Sequence, residues 1–380
     1  MCVGDQQVWA AVSGVGSCVR CGQLCQVWAQ LTQLPPHSVR APGASYCIGK
    51  KLMQVLTVVL ALAMATTSTK GEMVDVSDFF PDVSEDLSKV TWGHAINSKD
   101  DLEKNITDPS IMMLEADVSA GRLADQGPDD PLIPIMAHPP HNESDLSLEM
   151  WLNEVIEANK EGKKKGAKLD FKDLSIVQQS LELLKSHIKQ INFPLWLNAD
   201  ILKGPVESST VPVDADKFLS LCAEYFPQAT LSVGWTTKFT SADDEAGAYT
   251  KQMVQEMSDT LEKNNITQPI TFPIRAAFIG RSLVSLEWLV DTIPDSTITV
   301  WSSPSDDIDV QALVALRDNI GHDSVYFDLP EDQQKAFDEA KQKESNTAAV
   351  KFQFLPQNAS AWATVGVALA SALAALYLYE

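Results

Sequence analysis

Between residues 88 and 330 the chain repeats one pattern: a short β-rich apolar run, a polar turn, then a stretch of helical periodicity. The apolar runs read VTWGHAI (90–96), IMMLEADVS (111–119), LIPIMAHP (132–139), AKLDFK (167–172), PLWLNADIL (194–202), ATLSVGW (229–235), ITFPIRAAFI (270–279) and STITVWSS (296–303). Amphipathic stretches at 148–160, 175–190, 215–225, 244–263 and 307–319 lie between several of them. Strands that alternate with helices predict βα units on a parallel sheet, and eight runs in about 240 residues fit an α/β fold of the closed (β/α)8 TIM-barrel type. An open doubly wound sheet is the alternative, weakened because no glycine-rich dinucleotide fingerprint follows the first run. The segments after the first three runs are short, and no full helix is predicted between 119 and 132. Such irregularity suits a barrel with an elaborated mouth.

Two hydrophobic stretches flank this region. Residues 55–65, VLTVVLALAMA, have the length of a signal-peptide core; Lys50 and Lys51 precede it, and Ala63 and Ala65 occupy the small-residue positions of a cleavage site before Thr66. Residues 361–379 are an unbroken apolar and small-residue run followed by Glu380, with nothing basic beyond to set an orientation. That arrangement suggests a glycolipid-anchor signal with Asn346, Thr347 and Ala348 as attachment site, although Phe352 and Phe354 interrupt the polar spacer; a single-pass anchor is the second reading. The expected organisation is a leader or extension at 1–52 (with Met53 an alternative start), a signal core at 53–65, a linker at 66–87, the barrel at 88–330, an extension and stalk at 331–360, and the anchor or its signal at 361–380. Sequons at Asn105, Asn142, Asn265 and Asn358 agree with passage through the secretory pathway to the outer face of the plasma membrane or into the medium.

Composition narrows the partners. With 51 acidic against 29 basic residues the net charge is −22, which repels a phosphate backbone and argues against nucleic acid. Five of the six cysteines precede residue 50, so no disulfide can close within the bulk of the chain; Cys222, in the apolar helical stretch FLSLCAEYF, reads as an inert core thiol.

Barrel enzymes place their chemistry at the C-terminal ends of the strands, so the polar residues late in each run are the candidates. The first run ends in His94 with Asn97 beyond it, the second carries Glu115 and Asp117 on one face, and the third ends in His138. The fourth alternates Lys168, Asp170 and Lys172 with apolar residues, and the fifth carries Asn198 and Asp200. If the apolar set faces the helices, these charges face the barrel interior, where an unpaired ion costs several kcal/mol. Glu115, Asp117 and Asp170 offer hard oxygen ligands suited to Mg²⁺ or Ca²⁺. The bland alternative is a buried salt-bridge network of Lys168, Lys172, Glu115 and Asp170 with no chemistry.

The segments TWGHAINSKDDL (91–102), LEADVS (114–119), PIMAHPP (134–140), AKLDFK (167–172) and LWLNADILKGP (195–205) resemble the menorin (FAM151) family. The resemblance implies a barrel related to the glycerophosphodiester phosphodiesterases and the spider-venom phospholipase D toxins. It also implies His94 and His138 as an acid/base pair, Glu115, Asp117 and Asp170 as metal ligands, Lys172 as a phosphate-contacting cation and Trp301 as an aromatic near the substrate. Asn97, Asn198 and Asp200 are the remaining substrate-binding candidates. The arginine of the superfamily's H-R-G opening is replaced by Ala95, and Arg275 is the candidate substitute. The function so implied is metal-dependent phosphodiester cleavage on glycerophosphodiesters or lysophospholipids. The competing reading is an inactive barrel that binds a cell-surface protein partner.

Overall fold

The computed structural model describes residues 73–206, 208–239 and 247–353. The leader, the signal core, Asn358 and the hydrophobic segment 361–380 lie outside the described residues. Among the described residues no helix is long and apolar enough to cross a membrane.

Eight parallel strands run in the order β1 (Trp92–Gly93), β2 (Met113–Leu123), β5 (Gly166–Phe171), β6 (Leu195–Lys203), β7 (Thr230–Thr236), β8 (Ile270–Arg275), β9 (Ser296–Trp301) and β10 (Val325–Asp328). Each is hydrogen-bonded to the next, as in the β2–β5 register Glu115↔Lys168 and Asp117↔Asp170. No ladder joins β10 back to β1 among the described residues. The barrel is therefore nearly closed, and its seam is bridged by side chains. The rings of Trp92 and Tyr326 meet across it at 6.4 Å, and Trp196 packs on both, at 5.5 Å and 5.0 Å. With Val76, Phe80, Val83, Leu87 and Val90 these rings form a second apolar cluster.

Two assignments from the apolar pattern change. The run at 132–139 is no barrel strand: β3 (Ile133–Met136) returns antiparallel along β2, pairing Val118 with Met136 and Gly121 with Ile133. The short β4 (Glu143–Ser144) lies along the other edge of the same extension. This is possible because β2 is eleven residues long and outlasts its pairing with β5, which ends at Val118. The eighth barrel strand is β10, which apolar runs did not pick out. It is four residues long and wholly buried, so it offers little period-2 signal.

Helices pack outside the strands, and most begin with a side-chain cap. Ser98 caps α1 (Lys99–Thr107), Ser147 caps α2 (Leu148–Lys160), Asp173 caps α3 (Leu174–Ser186) and Asp214 caps α4 (Ala215–Tyr225). Thr250 caps α5 (Lys251–Lys263), which starts later than its periodicity predicts, and Asp309 caps α6 (Val310–Ile320). Each such cap contributes about 1 kcal/mol. Alternation in the strands then sorts the charges. In β2, Leu114, Ala116 and Val118 are fully buried in the main apolar core, which sends Glu115 and Asp117 to the barrel interior.

Candidate active site

The ten residues singled out as catalytic, metal-binding or substrate-binding line one cavity of about 590 Å³, together with Lys168, Arg275, Thr210, Thr236 and others. Five of the barrel strands, with the turns that follow them, supply nine of these ten. His138 comes from outside the barrel, on the turn after β3.

The three carboxylates form the floor. Glu115, Asp117 and Asp170 each offer an oxygen, and these atoms lie within 4.8 Å of one another. Each is held by a donor. Ala95 N–H donates to Glu115 Oε2 at 2.8 Å, an approach made by the left-handed backbone of Ala95 (φ 54°). Asn97 clasps Asp117 twice: its amide donates to Asp117 Oδ2 at 2.7 Å, and its Oδ1 accepts from Asp117 N–H at 2.9 Å. Asn198 donates to Asp170 Oδ1 at 2.6 Å and accepts from Ser232 at 2.5 Å. Lys172 Nζ bridges Asp170 and Asp117, the latter at 3.1 Å. Asn97 and Asn198 thus spend their amides on orienting carboxylates. The salt-bridge network of the bland reading is only half formed: Lys172 joins it, but Lys168 makes no ion pair among the described residues and lies over the Trp92 ring at 5.9 Å.

Burial, above all, raises the pKa of Glu115, although His94 opposes it. Burial also pushes Asp170 upward, but Lys172 and Lys168 outweigh it and the net shift is down. Lys172 is pressed down by burial, yet the carboxylates around it carry it well above its ordinary value. Asp200 is raised to about 7, first by burial and then by the charge of Asp170. Four carboxylates therefore line the cavity against Lys168, Lys172 and the imidazole of His94, and a bound cation would favour an anionic ligand there. Three convergent, oriented oxygen donors fit a hard divalent ion.

The histidines are fixed differently. His138 Nδ1 lies 2.7 Å from its neighbour's carbonyl, Pro139 O. A carbonyl only accepts, so Nδ1 carries the hydrogen and Nε2 is left for a ligand. His94 Nδ1 donates to Asp328 Oδ2 at 2.8 Å, and Glu115 Oε2 lies 3.6 Å away. The charge of Asp328 is the main reason that the His94 pKa rises to about 10, against the opposing effect of burial. His94 keeps about half of its side chain exposed, whereas Asp328 is buried. Asp328 was missed by the strand count. The signal was a carboxylate closing VYFD (325–328) after a helix, where an alternating βα chain owes a strand; the hairpin run had already filled the eighth place.

Arg275 lines the cavity but is engaged. Its fork grips Asp306 through two bonds of 2.7 Å, and its guanidinium stacks on Trp301 at 5.0 Å and Phe239 at 5.6 Å. Of the sequons, Asn142 and Asn265 are exposed, whereas the Asn105 amide donates to Asp101 O within α1. Cys222 is buried and its thiol is pushed well up by burial.

The fold and site define an α/β barrel with an acidic centre at the C-terminal mouth. The Menorin N-terminal domain model matches residues 86–334, and the chain belongs to the menorin family. Human Protein FAM151B is 37% identical over 257 residues, covering 68% of this chain and 88% of that protein. Among solved structures, a glycerophosphodiester phosphodiesterase from Parabacteroides distasonis aligns over 68% of this chain and 99% of its own, with 15% identity and a TM-score of 0.38. N-acetylneuraminate lyase from Mycoplasma synoviae aligns over 70% and 78%, with 10% identity and a TM-score of 0.36. Neither superposition is close enough to bear on chemistry.

Proposed function

We propose that this protein is a divalent-cation-dependent phosphodiesterase of the PLC-like barrel type, acting on glycerophosphodiesters or lysophospholipids at an extracellular surface. One observation carries the reading: two histidines, three carboxylates with mutually adjacent oxygens, and a lysine share one cavity at the strand C-termini. Glu115, Asp117 and Asp170 would hold Mg²⁺ or Ca²⁺, which when bound polarises a phosphoryl oxygen. Lys172 places an ammonium at the same spot, where it stabilises charge on a phosphoryl oxygen. His94 and His138 each have Nδ1 tied down, so both work through Nε2: one takes the proton of the attacking hydroxyl and the other returns a proton to the leaving alcohol. Asp328 keeps the Nδ1 hydrogen on His94 and fixes the plane of its ring.

The secretory signal and surface anchor read from the sequence are part of this proposal. The test is phosphorus NMR of purified protein against a panel of glycerophosphodiesters and lysophospholipids, with Mg²⁺, with Ca²⁺ and with chelator. Metal-dependent cleavage is expected, lost by 10²-fold or more in His94→Ala and in Glu115→Gln. Equal rates for wild type and both variants would refute it. A second reading, a barrel that serves as a binding scaffold for a cell-surface partner, is favoured by the capture of Arg275 by Asp306, which leaves the absent H-R-G arginine without a free substitute.

A further inference from the structure

Two polar groups of the cavity lining are held by nothing among the described residues. The Thr236 hydroxyl is buried, with the whole residue 2% exposed, and has no hydrogen-bond partner among the described residues. Leaving such a group unpaired costs about 1–3 kcal/mol. The carboxylate of Asp200 makes no hydrogen bond or ion pair among the described residues, in contrast to the three acids of the floor, and it lies outside their cluster. The two belong to one wall. Ser232, Gly234 and Thr236 alternate along β7 and share its inner face, because Ser232 bonds Asn198 and a Cβ on Gly234 would come within 3.1 Å of Asp200 Oδ1. Asp200 pairs in register with Gly234 on the neighbouring strand. The missing side chain at Gly234 therefore leaves the Asp200 carboxylate uncovered, below the orphaned hydroxyl.

A carboxylate that accepts and a hydroxyl that accepts or donates are matched by a ligand bearing O–H or N–H groups. A quaternary ammonium has no such hydrogen and is recognised by open aromatic faces. The aromatic of this cavity, Trp301, already has the Arg275 guanidinium stacked on it. We infer that Asp200 and Thr236 form a head-group subsite that selects phosphodiesters of hydrogen-bond-donating alcohols, such as glycerol or ethanolamine, over those of choline. The inference rests on the phosphodiesterase reading for its reaction, but the subsite can be read by binding alone.

The experiment uses three diesters that differ only in the head alcohol: glycerophosphoglycerol, glycerophosphoethanolamine and glycerophosphocholine. Calorimetric affinities are measured on the metal-loaded full chain carrying His94→Ala, and kcat/KM on the wild type. The donor-bearing diesters are expected to bind about tenfold or more tightly than the choline diester. Thr236→Val, which keeps the shape, should remove most of that margin while leaving the choline diester unchanged. Asp200→Asn should weaken the ethanolamine diester more than the glycerol diester. Equal affinities, preference for choline, or absence of binding overturns the subsite, even where turnover is found. Discrimination in binding without turnover in the wild type upholds the subsite and defeats the phosphodiesterase reading.

Discussion

Removing Asp306 tests whether Arg275 is a wall of the cavity or a spare phosphate ligand. The Arg275 side chain is 12% exposed and that of Asp306 is fully buried; the fork between them has two bonds of 2.7 Å, and Ser302 and Ser303 add contacts to the same carboxylate. Taking one partner from a buried pair leaves the other charge without compensation, so Asp306→Ala is expected to cost about 3–5 kcal/mol. Replacing both, as Arg275→Met with Asp306→Leu, keeps the volume and removes both ions, and should recover most of that loss. Urea unfolding of wild type, the two single variants and the double variant gives each free energy by linear extrapolation and closes a double-mutant cycle. A cost for Asp306→Ala under about 1 kcal/mol, or a double variant as weak as the sum of the singles, would refute the argument from burial. The same variant has a functional side. With Asp306 gone, Arg275 regains free donors at the cavity, and inorganic phosphate should bind the metal-loaded variant more tightly than the wild type.

Three further outcomes follow from other contacts. Asp328→Asn keeps the shape but lets the amide present N–H to His94; the exchange-protected Nδ1 hydrogen of His94 should vanish from the proton NMR spectrum, and kcat should fall by about 10²–10⁴-fold with KM moved less. Gly121→Ala drives a Cβ to 2.4 Å from the backbone oxygen of Asn142 and 2.2 Å from Ile135 Cδ1, so the segment that leads from His138 into β4 must shift away from β2; loss of activity with a barrel that still melts cooperatively is the expected result. The pKa of Asp86 is pushed up by burial but brought below 3.8 overall by Ser88 and by Arg317. A depressed carboxylate stabilises the fold above its unfolded value and stops doing so as pH falls through its folded value, so the deficit of Asp86→Asn in urea unfolding should be clear near neutrality and close below 3.8.

The alternation of residues in β2, β5 and β6 was legible because a charge on every second position of an otherwise apolar strand can only point into the barrel, and these strands supply all three carboxylates of the floor. His94 was legible from its position after the first strand, whereas His138 was read at the end of a barrel strand and reaches the cavity from the turn after β3 instead. What stayed hidden had physical causes. LIPIMAHP has the composition of a parallel core strand, and only the length of β2 shows that it must double back as a hairpin. VYFD is too short to carry a period, and with it went Asp328. The partners of Asn97, Asn198 and Arg275 depend on side-chain approach across strands, which no linear pattern encodes. The Thr236 hydroxyl is distinguished by a bond that it lacks, and that is visible only once every neighbour has been placed.

The seam between β1 and β10 has a mechanical consequence. Elsewhere around the ring, adjacent strands are laced by backbone hydrogen bonds. At the seam the join includes the bond from His94 to Asp328, one of whose ends is a group proposed to handle protons. Whatever alters the charge or orientation of that imidazole also loads or relaxes the hoop where no backbone ladder closes it. Under the proposed function the stiffness of this barrel would vary with the state of the site, and backbone amides on β1 and β10 should exchange with solvent at rates that follow it.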